Sequence, residues 1–382
     1  MPVEIREVQN HRDLRTFITL PAKIHQNHPL WIPPIYMDEW RFFNPQKNRA
    51  FTYSDILLLL AYENDEAVGR IMGIINRRYN EFREEKHARF GLLECRKNQG
   101  VAHRLLSRIE QWALGRGMEK IVGPLGFSDQ DPAGYLVKGF EHKPTISTYY
   151  NFAYINELLE KEGYSKEIDY VVYRVDLPDE IPELYTKIYQ RAVRKGTYQL
   201  LEFQKRRQLK PYIKPIFRVM NECFQDFYGF HPLEEGEMED LAKRYLPILD
   251  PRFIKIIAKD DEVIGFNIAM PNLSEGVRRS RGRLFPLGII RILSSAKKTK
   301  QLDSLIGGIK KEHRGRGVDV MIGYKTIQSA LRAGFKFVDS HHELEDNYKV
   351  RAEMERLGGQ VYKRFRIYQK KIQRKTIVET GI

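Results

Sequence analysis

Apolar and polar positions alternate along this chain in an order that occurs twice. Ile56 to Tyr62 and Val68 to Ile75 are apolar runs joined by an acidic turn at Asp65-Glu66-Ala67-Val68-Gly69. Phe253 to Ala258 and Val263 to Ala269 repeat the pattern around Asp261-Glu262-Val263-Ile264-Gly265. Both predict β-hairpins. Apolar residues at helical spacing then follow Gly100 as far as Arg116-Gly117-Met118, and follow Gly317 as far as Ala333-Gly334-Phe335, the two stretches standing 217 residues apart at both ends. A strand comes after each helix, Lys120 to Pro124 and Lys336 to Ser340, so each half holds a strand–helix–strand unit with parallel pairing. A glycine-stopped helix closes each half, Leu158 to Tyr164 and Met354 to Gly359, before an aromatic-rich strand.

The halves therefore share one plan: strand, helices, β-hairpin, strand, helix, strand, helix, strand. Their boundary is expected near Leu177-Pro178-Asp179-Glu180-Ile181-Pro182, ahead of a helix from Leu184 to Arg194. A strand at Tyr198 to Phe203 and helices over about Pro211 to Tyr228 and Glu234 to Tyr245 open the second half. That half also carries 21 additional residues between its hairpin and its long helix, near Ser274 to Lys300.

The chain has 382 residues, enough for two or three domains, and 42% hydrophobic and 12% aromatic residues exclude a disordered polymer. Cys95 and Cys223 are its two cysteines, which excludes a disulfide framework and a four-cysteine zinc site. Charges occupy Glu4, Arg6 and Glu7, where a signal peptide would be apolar. No apolar run approaches the roughly 18 residues that span a bilayer, so a cytoplasmic protein is expected.

Candidate chemistry concentrates in Ile309-Lys310-Lys311-Glu312-His313-Arg314-Gly315-Arg316-Gly317-Val318-Asp319, between a strand and a helix. A glycine-rich turn at a helix start points unpaired N–H groups outward at the positive end of the helix dipole, which suits a phosphate or pyrophosphate. Arg314 and Arg316 add charge there; the plainer alternative is a basic strand-to-helix turn without a ligand.

This loop and the order of elements resemble the GNAT superfamily of acyl-CoA N-acyltransferases, whose loop reads Gln or Arg, two residues, Gly, one residue, then Gly or Ala. Arg314-Gly315-Arg316-Gly317-Val318 fits, and Asp319 departs in the last place. Lys97-Asn98-Gln99-Gly100-Val101-Ala102 fits at Gly100 and Ala102 and departs at Lys97. The resemblance implies an α/β fold of the α+β, mixed-sheet type. It implies two tandem GNAT-like domains, at 1–178 with a degenerate or secondary site and at 179–372 with the acyl-CoA site, ahead of a basic tail at 373–382 expected to be disordered. It also implies acetyl-CoA or another acyl-CoA as co-substrate and no metal. Cofactor-binding positions would be Ile309 and Lys310, whose backbones would pair with the pantetheine arm, together with Arg314, Gly315, Arg316, Gly317, Val318, Asp319 and Asn347. Asn347 stands eleven residues before Gly358, as in the family, but Met354 takes the place of the family's general-acid tyrosine. His341 and Glu343, at a strand end that in this fold splays to admit the acyl group, are the candidate general bases.

The formal charge of +14 is uneven. Arg278, Arg279, Arg281, Arg283, Arg291, Lys297, Lys298 and Lys300 supply +8 of it with no acidic residue among them, and Leu284, Phe285, Leu287, Ile289, Ile290, Ile292 and Leu293 are interleaved. Such a segment suits an anionic membrane surface or a lid, or is an ordinary packed insert; no nucleic-acid module is present, and nucleic acid is not the expected partner. The sequence thus supports an N-acyltransferase moving an acetyl or longer acyl group onto a small-molecule or peptide amine. Its alternatives are a catalytically silent GNAT-fold binding protein and a peripheral membrane protein acting through residues 278–300.

Overall fold

A computed structural model describes residues 3–373, so most of the tail at 373–382 lies outside the described residues. The chain forms two compact units. The first comprises residues through Tyr170, Arg281–Leu284 and the chain from Arg364, and the second comprises Val171–Ser280 and Phe285–Lys363. The sequence boundary near residue 178 follows the repeat, whereas the compact units divide within the strand that precedes it.

In the first unit the elements are β1 (Glu4–Glu7), α1 (His11–Ile24), α2 (Tyr36–Phe42), α3 (Ala50–Tyr53), β2 (Ser54–Glu63) and β3 (Glu66–Asn76). They continue as α4 (Arg77–Arg83), β4 (His87–Cys95), α5 (Gln99–Gly115), β5 (Lys120–Gly123), β6 (Tyr135–Lys138), α6 (Tyr154–Lys161) and the start of β7 (Ser165–Asp176). Strands β1 to β4 are antiparallel neighbours in order, and β4 pairs with β5 in parallel. The β2–β3 turn places Asn64 and Asp65 at φ of 50° and 60°, the conformation of a two-residue hairpin turn. One sheet face packs on α5, through Val101, Leu105 and Ile109, and the other on α1, through Phe17 and Ile18. A Cβ on Gly69 would sit 2.9 Å from Val101 Cγ1 and one on Gly73 2.8 Å from Ile109 Cδ1, so these glycines let α5 lie directly on β3.

The second unit contains α7 (Glu183–Arg194), β8 (Gln199–Glu202), α8 (Ile213–Cys223), α9 (Glu235–Tyr245), β9 (Ile254–Lys259), β10 (Glu262–Pro271), α10 (Ser274–Ser280) and α11 (Gly288–Lys298). Then come β11 (Gln301–Ile309), α12 (Val318–Arg332), β12 (Phe337–Asp339), β13 (Glu343–Leu344), α13 (Tyr348–Arg356) and β14 (Gln360–Lys371). Strands β8 to β11 are antiparallel in order, and β11 pairs with β12 in parallel. The hairpin turn repeats that of the first unit, with Asp260 and Asp261 at φ of 49° and 63°. Helix α12 buries Val318, Met321 and Ile322 against Ile257 and Ile264, a stripe at positions three and four apart. Lys255, buried on β9, fixes the helix from below by donating to Ser329 Oγ at 2.9 Å and Glu202 Oε1 at 2.8 Å.

The expected helix over 211–228 is a 3-10 turn at Arg206–Tyr212 followed by α8, which stops at Cys223. There the chain turns to stack Phe224 on Phe227 and to bury Phe230. The 274–300 insert folds as the helix pair α10–α11, and α4 and β6 are elements the apolar pattern did not predict.

The last strand of each half runs out of its own unit. The end of β7, Arg174 to Asp176, pairs with β12 in the second unit, and the end of β14, Tyr368 to Lys371, pairs with β5 in the first. Asp169, 1% exposed, anchors the arriving part of β14 in the first unit by accepting from Arg366 Nε at 2.8 Å and Arg364 Nη1 at 3.1 Å. Burial alone would push its carboxyl up, but Arg366 and then Arg364 and Lys166 hold it below the usual aspartate range. Its contribution is therefore present above the unfolded-state pKa and is lost as pH falls through the lowered one. Asp169→Ala is expected to cost about 1–2 kcal/mol at neutral pH, since it removes charge-assisted hydrogen bonds but leaves arginines that still reach water. The check is the urea midpoint of variant and wild type, and the difference should shrink in acid.

Candidate active site

In both units a parallel strand pair parts after three residues, and the long helix starts beside the parting. In the first unit β4 pairs with β5 at His87 to Arg89. Beyond that point its carbonyls find partners within the unit: Phe90 O accepts from Leu125 N at 2.9 Å, Leu93 O from Tyr135 Oη at 2.7 Å and Cys95 O from Tyr154 Oη at 2.8 Å. The start of α5 is closed as well. Asn98 Oδ1 accepts from the backbone N–H groups of Gly100 and Val101 at 2.9 and 3.4 Å, which satisfies donors that an anion would otherwise use.

The second unit resolves the same geometry differently. Strand β11 pairs with β12 at Gln301 to Asp303, and from Ser304 to Ile309 it has β10 alone as a strand partner among the described residues. The N–H of Lys310 donates to Ile264 O at 2.9 Å, so alternation turns the backbone of Ile309 and Gly307 the other way, to the open edge. Of the two residues expected to pair with a pantetheine arm, Ile309 turns to that edge, where its carbonyl accepts from Arg314 Nε at 2.8 Å, and the Lys310 N–H is already engaged. Lys310 Nζ holds Glu222 at 3.2 Å and also pairs with Glu262.

The loop beyond β11 carries Arg314, Gly315 and Arg316, all exposed, and Gly317. Gly315 and Gly317 have φ of 68° and 87°, a region closed to most side chains, which is why both positions need glycine. Gly317 occupies the cap of α12 with no side chain bonded to the helix start, in contrast to Asn98 on α5. Arg314 Nε donates to Ile309 O at 2.8 Å, and Val318 is fully buried, pinning the first turn of the helix. Asp319 lies in that first turn, where a carboxylate favours the dipole.

At the point where β11 and β12 part, Asp303 and Asp339 face each other in register, both buried. Asp303 accepts from Asn272 Nδ2 and Gln301 Nε2, each at 2.8 Å. Burial and then the Asp339 charge push its carboxyl up to about 8. Asp339 accepts from Lys363 Nζ at 3.3 Å, from the His341 backbone N–H at 2.8 Å and from the Tyr362 hydroxyl. Lys363 is 2% exposed, so the pair is a buried cation and anion one strand from a protonated acid.

His341 follows with φ of 60°, an uncommon backbone state for a side-chain-bearing residue, and its ring stacks on His342 at 4.8 Å. Burial lowers the pKa of His341, and its Nδ1 has no hydrogen-bond partner among the described residues. Glu343, partly accessible on β13, is pushed up to about 8 by burial and then by Glu353. Glu353 is itself raised, by burial and then by Asp319, so three carboxylates are linked in turn from the start of α12 to β13. Asn347 stands at the cap of α13 with its N–H on Leu344 O at 3.0 Å, and Met354 follows within that helix.

The second unit thus brings the loop, Glu343 and His341 into one folded body. Sequence reading passed over Asp303, Tyr362 and Lys363. Asp303 sits alone in an apolar strand, and the other two lie in a strand whose alternation resembles any other. Among the described residues no group of three or more His, Cys, Asp or Glu is placed to hold a metal.

No family model matches the chain. A bacterial ceramide synthase from Caulobacter vibrioides is 27% identical over 372 residues, covering 95% of this chain and 96% of that protein. A tandem GNAT protein from the clavulanic acid biosynthesis pathway superposes with a TM-score of 0.56 at 12% identity, covering 97% of this chain and 99% of its own. A GCN5-related N-acetyltransferase from Sphaerobacter thermophilus gives 0.54 at 14% identity, over 97% and 96% of the two chains. The chain therefore has the GNAT fold, and over its whole length it is similar in structure to a tandem GNAT protein.

Proposed function

We propose that the protein is an acyl-CoA-dependent N-acyltransferase whose working site lies in the second unit. The observation that carries this reading is the contrast between two equivalent places. In the first unit Asn98 caps the helix start and tyrosine hydroxyls cap the parted strand, whereas no side chain caps the start of α12 in the second. An acyl-CoA would lay its pyrophosphate on the loop and its pantetheine along β11 as an added strand, which directs the thioester toward the Asp303–Asp339 parting.

The acceptor is proposed to be a long-chain amino alcohol or a related lipid amine. Support comes from the relative named a ceramide synthase, since a ceramide is the amide of a fatty acid with a long-chain amino alcohol. The amine arrives protonated and must lose its proton before nitrogen attacks the thioester carbon. Glu343, at about 8, is matched to accept it. The C–N bond then forms as the C–S bond breaks. A thiol with a pKa near 8.5 departs readily as thiolate, so Met354 in the place of a tyrosine does not bar the reaction. In this reading His341 positions the turn that carries Glu343, through its N–H to Asp339.

The test is thiol release and amide formation with acyl-CoAs of graded length and amines that include a long-chain amino alcohol. Acyl-CoA binding without amide formation from any of these amines would support the silent binding protein instead. Glu343→Gln is expected to lower kcat/KM by about 100-fold or more at pH 7.5. In the wild type, activity should rise with pH until Glu343 is ionised, near 8, and that limb should be missing in the variant; an unchanged profile removes Glu343 from the role.

Placement in the second unit is tested by charge reversal on exposed residues. Arg316→Glu should weaken acyl-CoA binding by about tenfold or more, the worth of one charge-assisted contact. Lys97→Glu, at the matching loop of the first unit, should leave it unchanged. Calorimetric titration reads both, and the opposite result would move the site to the first unit.

A further inference from the structure

The α10–α11 pair of the second unit is not used by the chemistry above, and its surface is unusual. Gly276 on α10 lies so close to α11 that a Cβ there would sit 2.5 Å from Ile292 Cα, and Val277 and Ile292 are buried. That contact uses only one side of α11. Turning the helix outward leaves Phe285, Leu287, Ile289, Ile290 and Leu293 between 40% and 72% exposed. They account for five of the twelve large exposed apolar side chains among the described residues, gathered within nine positions, which makes a patch and not a scatter.

At 100° per residue, Ile289, Leu293 and Ile290 fall on one 100° arc of α11 with Lys297 inside it; Lys298 lies 80° past its edge, and Arg291 lies 100° past it, where its Nη1 donates to Arg279 O at 3.2 Å. Within α10, Glu275 neutralises Arg278 and Arg279 through bonds of 2.9 and 2.8 Å, while α11 itself contains no acidic residue. An exposed apolar stripe that carries lysine fits an interface that is apolar in its depth and anionic at its surface. Duplex nucleic acid would match the charge but not the apolar arc. A second copy of this face would match the apolar arc but repel the charge.

We propose that α11 and the preceding turn from Phe285 dock the protein on an anionic membrane, with Phe285, Ile290 and Leu293 entering the headgroup region and Lys297 and Lys298 holding lipid phosphates. This goes beyond the acyl-transfer reading and does not depend on it.

Flotation of the full chain tests it, using vesicles of phosphatidylcholine alone and of phosphatidylcholine mixed with phosphatidylglycerol. Wild type should float with the mixed vesicles, less so as salt is raised. The variant K297Q/K298Q should partition about 25-fold less, at roughly a factor of five for each basic residue. The variant I290D/L293D should partition about tenfold less or weaker still. All four side chains are exposed, so melting curves that match wild type are expected and make the comparison one of surface chemistry. Wild type remaining unbound to the mixed vesicles, or either variant floating like wild type, overturns the proposal. Light scattering that shows I290D/L293D dissociating a dimer, with flotation unchanged, overturns it in favour of self-association; binding to duplex DNA without flotation overturns it in favour of nucleic acid.

Discussion

The rule that a backbone N–H or C=O removed from water must find a partner governs both halves of this protein. Each half contains one parallel strand pair, and in each the pair parts after three residues while the strand that leads to the long helix runs on for six more. Parting frees a row of polar groups on one strand edge. The first unit answers with its own side chains, Tyr135 and Tyr154 over the strand and Asn98 over the helix. In the second, the Ile309 side of β11 and the start of α12 face outward. Two equivalent pieces of backbone thus differ in how far the protein satisfies the groups itself: Ile309 O accepts from the exposed Arg314, but the start of α12 has no side-chain cap, and the proposed division of labour between the units follows from that difference.

The parting in the second unit also brings two carboxyl groups face to face out of water. Two adjacent buried charges of one sign are costly, so one acid is held protonated and the other is paired. Asp303 takes the first role, with burial and Asp339 raising its pKa, and Asp339 takes the second, held by Lys363 and Tyr362. Those two residues lie on β14 immediately before it leaves for the first unit, where Arg364 and Arg366 bind Asp169. A single strand therefore carries, over five residues, the cation that stabilises the parting in one unit and the pair that anchors the strand in the other.

Much of this was legible in the sequence where the signal is local. The hairpins could be read because apolar runs flank turns whose Asn-Asp and Asp-Asp pairs accept positive φ. The loop glycines could be read because positions 315 and 317 require the left-handed region. The exchange of final strands could not, since β7 and β14 carry the same aromatic-rich pattern whichever sheet they join and the choice is made by long-range pairing. Asp303 and Lys363 were invisible for a related reason: they are brought to Asp339 only by register and strand order. Asn98 was in plain view inside a glycine motif. That its side chain closes the helix start depends on the extended backbone at the cap, which the motif does not state.

The charge of the second unit has an order that composition conceals. Arg314 and Arg316 stand at the start of α12, and Asp319, Glu353 and Glu343 lead away from it toward β13. A site that took only an anion would have no use for that acidic line, and one that took only a cation would have no use for the arginines. Under the proposed reaction the two reactants carry opposite charges, a polyphosphate on one and an ammonium on the other. Each would then be drawn to a different end of the same helix start. At Glu343 the ammonium would meet a carboxyl raised by burial and then by Glu353, which takes the amine's proton once it has lost its own. Asp319 departs from the family pattern in the loop, and it is the residue that joins the two ends.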